Sequence, residues 1–115
     1  MPHDIKKYLT DIQIHISYIE NFLGSKRDYL VFQQDLATQF AVERALEIIG
    51  EAANHIRKQD PAIAISNIRQ IIATRNILIL AYDSVDPVII WSIIVNHLPQ
   101  LKLEIEQLIE KYHDS

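Results

Sequence analysis

Ile63-Ala64-Ile65-Ser66-Asn67-Ile68-Arg69-Gln70-Ile71-Ile72-Ala73-Thr74-Arg75-Asn76-Ile77-Leu78-Ile79 is the stretch on which the fold turns. Its isoleucines are β-branched, which lowers helix propensity and makes a strand the competing reading. Spacing favours a helix: apolar positions 68, 71 and 72 lead to Arg75 at helical intervals, and no turn signal intervenes before Asp83-Ser84. Asp60-Pro61 ahead of it is a helix-start signal, because proline at a first helical position has no amide to leave unpaired and its φ is already suitable. A helical region is therefore expected from that pair onward.

Upstream, Asp4 is a candidate cap for a helix whose apolar residues Ile5, Tyr8, Leu9, Ile12, Ile16, Ile19 and Leu23 recur every three or four positions, with Gly24 as its stop. Tyr29 to Gln34 reads as a short helix or turn. Asp35 then caps a longer helix with Leu36, Phe40, Ala45, Leu46, Ile49, Ala53 and Ile56 on the buried face. Downstream, Asp86-Pro87 repeats the aspartate-cap, proline-first device and opens a last helix through Ile90, Ile94, Leu98, Leu101, Ile105, Leu108 and Tyr112. Pro99 lies inside that run and is expected to kink it, at a cost of roughly 3 kcal/mol. No hairpin signal, repeat or low-complexity segment appears. The reading is all-α: an antiparallel four-helix bundle with an extra short helix, and enough apolar surface left over to suggest a dimer.

Composition narrows the function. The 115 residues suit one compact domain, 1–115, and are too few for separate catalytic and binding domains. A hydrophobic fraction of 49% against 23% charged is that of a soluble globular chain. No apolar run approaches the roughly 18 residues of a membrane span, and the amino terminus lacks the apolar core of a signal peptide, so a cytoplasmic location is expected. The absence of cysteine rules out disulfides and thiolate metal sites. A net charge of −4 argues against a broad phosphate-binding surface, although Lys26 with Arg27, Arg57 with Lys58, and Arg69 with Arg75 leave room for a local one.

The segment Arg75-Asn76-Ile77-Leu78-Ile79-Leu80-Ala81-Tyr82 resembles R-N-x-L-x-H-x-Y, the signature of HEPN-domain toxins of the HepT group, with Leu80 where that family carries its histidine. Ala41-Val42-Glu43-Arg44-Ala45-Leu46-Glu47-Ile48-Ile49-Gly50-Glu51-Ala52 resembles the family's second-helix pattern L-E-I-I-G-E-A. Val85-Asp86, Trp91, Ile94 and Leu98-Pro99-Gln100-Leu101 resemble the stretch after its active site, so the likeness spans nearly the whole chain.

The resemblance implies a single HEPN-like helical domain that forms a homodimer and cuts single-stranded RNA without a metal or other cofactor. In that scheme Arg75 carries positive charge to the phosphate, Asn76 holds the arginine or a phosphate oxygen, and position 80 moves a proton. Leucine cannot titrate, so this copy is expected to be a weak or inactive ribonuclease, since a positioned proton-transfer group typically contributes about 10²- to 10⁴-fold. The resemblance also implies a partner, an antitoxin of the MNT nucleotidyltransferase group, which attaches AMP to Tyr82. A catalytically inactive HEPN domain kept as a binding module for that nucleotidyltransferase or for RNA is the alternative.

Each of these residues also has an ordinary reading. Arg75 and Asn76 would serve equally to bridge helices, Tyr82 as a half-buried aromatic, and Leu80 as core. None of His3, His15, His55, His97 and His113 has the spacing to replace an imidazole at 80, and no pair of ligands stands out for a metal. Glu47 and Glu51 share a helical face, but a carboxylate at that spacing more often pairs with an arginine such as Arg44.

Overall fold

The computed structural model describes residues 2–25, 27–81 and 85–113, the side chains of 2, 3 and 113 excepted. Its elements are α1 (Pro2–Leu23), α2 (Tyr29–Gln34), α3 (Leu36–Gln59), α4 (Ile68–Leu80), α5 (Pro87–Asn96) and α6 (Leu98–His113), with no strand among the described residues. The all-α expectation holds. Helix α3 is the central element: it packs against α1, α2, α4 and α5, while α6 lies on α1. No helix is long and apolar enough to cross a membrane among the described residues.

The three-and-four spacing of α1 places Ile5, Leu9, Ile12, Ile16 and Ile19 in the core, facing Val42, Ala45, Leu46, Ile49, Ala53 and Ile56 of α3 and Leu101, Ile105 and Leu108 of α6. Burying each of the larger aliphatic side chains contributes on the order of 1.5–3 kcal/mol, so this seam dominates stability. Gly24 ends α1 in the left-handed region at φ 70, where its N–H bonds the Glu20 carbonyl at 3.0 Å. The helix begins at Pro2, which puts Asp4 in its first turn rather than at the cap, still in favourable register with the helix dipole.

Aspartates start three other helices as expected or nearly so. Asp28 accepts from the Leu30 amide at 3.0 Å, Asp35 from the Thr38 amide at 3.1 Å and its hydroxyl at 2.6 Å, and Asp86 from the Val88 amide at 2.9 Å. The start of α3 nevertheless departs from the expected face, with Leu36 60% and Phe40 53% exposed. Gln39 turns inward instead, and its Nε2 donates to the Phe32 carbonyl at 2.7 Å and that of Gln33 at 3.0 Å. The open carbonyl end of α2 needs donors, and supplying them rotates the inward stripe away from Leu36 and Phe40.

Asp60-Pro61 does not start a helix. The Asp60 carboxylate accepts from the Ala62 amide at 3.2 Å, and bonds of Ile63 to Asp60, Ile65 to Ile63 and Ile68 to Ile65 carry the chain through successive turns. Ile65 is buried within this segment, and Glu104 of α6 clamps Ser66 through its amide at 3.1 Å and its hydroxyl at 3.1 Å. Helix α4 begins only at Ile68, behind Asn67, which makes no side-chain cap.

The expected single last helix is two. Helix α5 ends at Asn96, the His97 N–H caps it on the Ile93 carbonyl at 3.0 Å, and α6 starts afresh at Leu98. Pro99 thus falls in a first turn, where a missing amide is tolerated, and breaks the run rather than kinking it. The expected turn at Asp83-Ser84 lies outside the described residues.

Candidate functional site

Gly50 sits in the middle of α3, where glycine costs roughly 1 kcal/mol against alanine. Contact with α4 explains it. A Cβ at Gly50 would overlap the Cβ of Arg75 and lie 3.0 Å from both the Arg75 Cγ and the Ile71 carbonyl oxygen. Helix α4 therefore approaches α3 at a point that only glycine permits, and what it seats there is the stem of Arg75.

The arginine is half-buried, with its stem on α3. One guanidinium nitrogen, Nη1, donates to Oδ1 of the exposed Asn76 at 3.0 Å, so the two polar residues of the motif are joined. Its Nε is buried without a hydrogen-bond partner. No carboxylate pairs with Arg75 among the described residues, whose ion pairs are Lys7–Asp11, Arg44–Glu47 and Lys102–Glu20. A guanidinium that pairs with no carboxylate among the described residues and keeps further Nη donors beyond the one given to Asn76 is suited to hold an anion.

Leu80 is the last residue of α4 and is 81% exposed, beside Ile77 and Ile79 at 47% and 50%. The core reading of this leucine is overturned. At 3.6 residues per turn, positions 75 and 80 lie about 140° apart around the helix, whereas Asn76 and Leu80 share a face. Arginine and leucine therefore project from different sides of one chain. The backbone is already extended at Ala81. Tyr82, the expected AMP acceptor, lies outside the described residues, as does Lys26.

Glu43 and Glu47 lie on the α3 face that carries Gly50, two turns and one turn ahead of it respectively. Arg44 takes Glu47 at 3.2 Å, which is the ordinary pairing expected of that carboxylate. Burial, and next the charge of Glu47, push the Glu43 carboxyl above its usual range. Of the basic pairs, Arg69 is exposed on α4, and Arg57 is half-buried two turns beyond Gly50 on the same face of α3. His15, His55 and His97 lie elsewhere: the His15 ring bonds the Asp11 carbonyl at 2.8 Å, the His55 ring stacks on Tyr8 at 4.8 Å, and His97 stands between α5 and α6, where its backbone N–H caps α5. No group of three or more potential metal ligands occurs among the described residues. Gly50 is the part of the site that motif reading missed, and the signal was there: a glycine inside a strongly helical run asks for a packing reason.

An all-α, HEPN-like bundle with an arginine seated at a helix–helix contact defines the class of this protein. It belongs to the HepT-like ribonuclease family, whose model, described as "Ribonuclease HepT-like", matches residues 5–108. A relative in Thermococcus cleftensis named "Probable ribonuclease HepT" is 39% identical over 114 residues, covering 94% of this chain and 98% of its own length. Another in Methanocaldococcus jannaschii, "Putative RNase MJ1380", is 34% identical over 107 residues, covering 90% of this chain and 94% of its own. No solved structure matches the chain.

Proposed function

We propose that this chain is the toxin subunit of a HEPN/MNT toxin–antitoxin pair, built as a metal-independent endoribonuclease and weakened by the loss of its proton-transfer group at position 80. The observation that carries the reading is the Arg75 guanidinium, seated on Gly50, bonded to Asn76 and paired with no carboxylate among the described residues. In RNA cleavage of this type the 2′-oxygen bonds to phosphorus as the bond to the 5′-oxygen breaks. A base takes the 2′-hydroxyl proton, an acid returns a proton to the leaving 5′-oxygen, and positive charge holds the phosphorane between them. Arg75 supplies that charge, Asn76 fixes its orientation, and Leu80 leaves the proton step without its imidazole.

The 140° between positions 75 and 80 supports a homodimer, in which motif copies from two chains meet at one cleft. Tyr82 is the acceptor for AMP from an MNT-type nucleotidyltransferase antitoxin. The added phosphate brings negative charge to the motif that carries Arg75 and blocks RNA without a change of fold. The exposed Ile77, Ile79 and Leu80 favour a second reading, a binding module that engages the nucleotidyltransferase or RNA without cutting.

The test is cleavage of a structured RNA in EDTA by the parent chain and Leu80→His, each with and without Arg75→Ala. Weak cutting by the parent and a gain of about 10²- to 10⁴-fold in Leu80→His, abolished by Arg75→Ala, is the expected result. Failure of both forms to cut would leave the binding-module reading. Intact mass after incubation with the nucleotidyltransferase, ATP and magnesium tests Tyr82: an unchanged mass, or one that still rises in Tyr82→Phe, removes the acceptor assignment.

A further inference from the structure

Away from Arg75, the end of α1, helix α2 and the start of α3 close over α5 to leave a pocket of about 240 Å³. Its apolar lining includes Phe22, Phe32 and Trp91, and the Phe32 and Trp91 rings lie 5.2 Å apart at a tilt of 40°. Two carboxylates, Asp28 and Asp35, line the same pocket beside Thr38. Phe32 is buried behind Trp91, so the rings open to the pocket are those of the half-buried Trp91 and the 45% exposed Phe22. Aromatic rings beside two carboxylates are what a soft, weakly hydrated cation selects. We propose that the pocket is a binding site for an organic cation, with the guanidinium or alkylammonium head against Trp91 and Phe22 and its charge held by Asp28 and Asp35.

The competing ligand chemistries fit less well. An apolar occupant would strip water from two carboxylates and return nothing for it, and an anion would be repelled. A bare metal ion lacks ligands, since two carboxylates are too few for a hard cation and no group of three or more potential ligands occurs among the described residues. The Thr38 hydroxyl, and then its amide, hold the Asp35 carboxyl below the usual carboxylate range, so it is ionised at neutral pH. No cation of the chain neutralises either aspartate among the described residues. Arg27, close by in sequence, donates to the Gly24 carbonyl at 3.2 Å and lines the neighbouring groove between α1 and α6.

Trp91 is the only tryptophan in the chain, so its emission reports this pocket alone. The parent protein is titrated with butylguanidinium, with agmatine, with its neutral isostere butylurea, and with a blocked tripeptide bearing a central arginine. A saturable change with the cations and none with butylurea is expected. Asp28→Asn and Asp35→Asn are each expected to weaken binding about tenfold, because asparagine caps a helix as well as aspartate and removes only the charge.

Tighter binding of free agmatine would identify a small metabolite as the natural source, and tighter binding of the tripeptide a side chain of a partner protein; both support the site. The proposal is overturned if butylurea binds as well as butylguanidinium, if the folded asparagine variants bind unchanged, or if no cation changes the emission up to tens of millimolar. Should the variants fail to fold, the contrast between butylguanidinium and butylurea on the parent chain decides. None of these outcomes depends on ribonuclease activity.

Discussion

Replacing a helical glycine with alanine ordinarily stabilises a protein, and Gly50→Ala is expected to do the reverse. The gain in helix propensity is about 1 kcal/mol. Against it, the new methyl overlaps the Arg75 Cβ and sits 3.0 Å from the Ile71 carbonyl oxygen, and neither atom can swing away as a side-chain tip could. Relief requires α4 to move off α3 as a body, which places the penalty in the upper part of the roughly 1–3 kcal/mol seen for overpacked cores. The balance is a net loss of about 1–2 kcal/mol, or a fall in melting temperature of roughly 4–8 °C for a domain of this size. Thermal and urea unfolding followed by circular dichroism at one fixed protein concentration measure it, the fixed concentration removing any contribution from self-association. Equal or greater stability of Gly50→Ala would show that α4 does not press on α3 at this point, and the account of why Arg75 is held in place would fall with it. In the Leu80→His background the same substitution should also lower cleavage, because it displaces the arginine.

Two further expectations concern other parts of the bundle. Burial and the neighbouring Glu47 hold the Glu43 carboxyl above its ordinary value of 4.5. A carboxyl raised in the folded state favours folding while protonated and loses that contribution as pH climbs through its folded value, so Glu43→Gln should stabilise the protein near pH ~7 and have little effect near pH ~4. Urea unfolding at both values tests this, and a gain present only at the acid value would contradict it. Pro99→Ala should change stability by less than about 1 kcal/mol, since the proline removes an amide that a first turn leaves unpaired. A stabilisation near 3 kcal/mol in the same assay would mean that α5 and α6 are one strained helix after all.

Much of the fold was legible because its signals are local. The core of α1 follows from apolar spacing alone, and Asp35 and Asp86 cap helices through hydrogen bonds to amides two or three residues on. Local signals mislead where a distant group decides. Asp60-Pro61 carries a start signal, yet the chain runs on through turns because Ile65 fills the core and Glu104, far along the sequence, takes Ser66. Periodicity places Phe40 inside, but the donors required by the end of α2 put Gln39 there instead. At the candidate site the residue types of Arg75 and Asn76 were readable, whereas the seat beneath the arginine was not, because the closeness of residues 50 and 75 exists only once α3 and α4 have packed.

The exposure of Leu80 bears on how such a domain changes over generations. A side chain that is 81% accessible at a helix end is scarcely part of the packing, and histidine differs from leucine in helix propensity by only about 0.5 kcal/mol. Folding therefore exerts almost no selection on this position. On the proposed reading, a lineage can silence the domain by one substitution here, keep it folded and able to meet its partners, and recover cleavage by a single reversion.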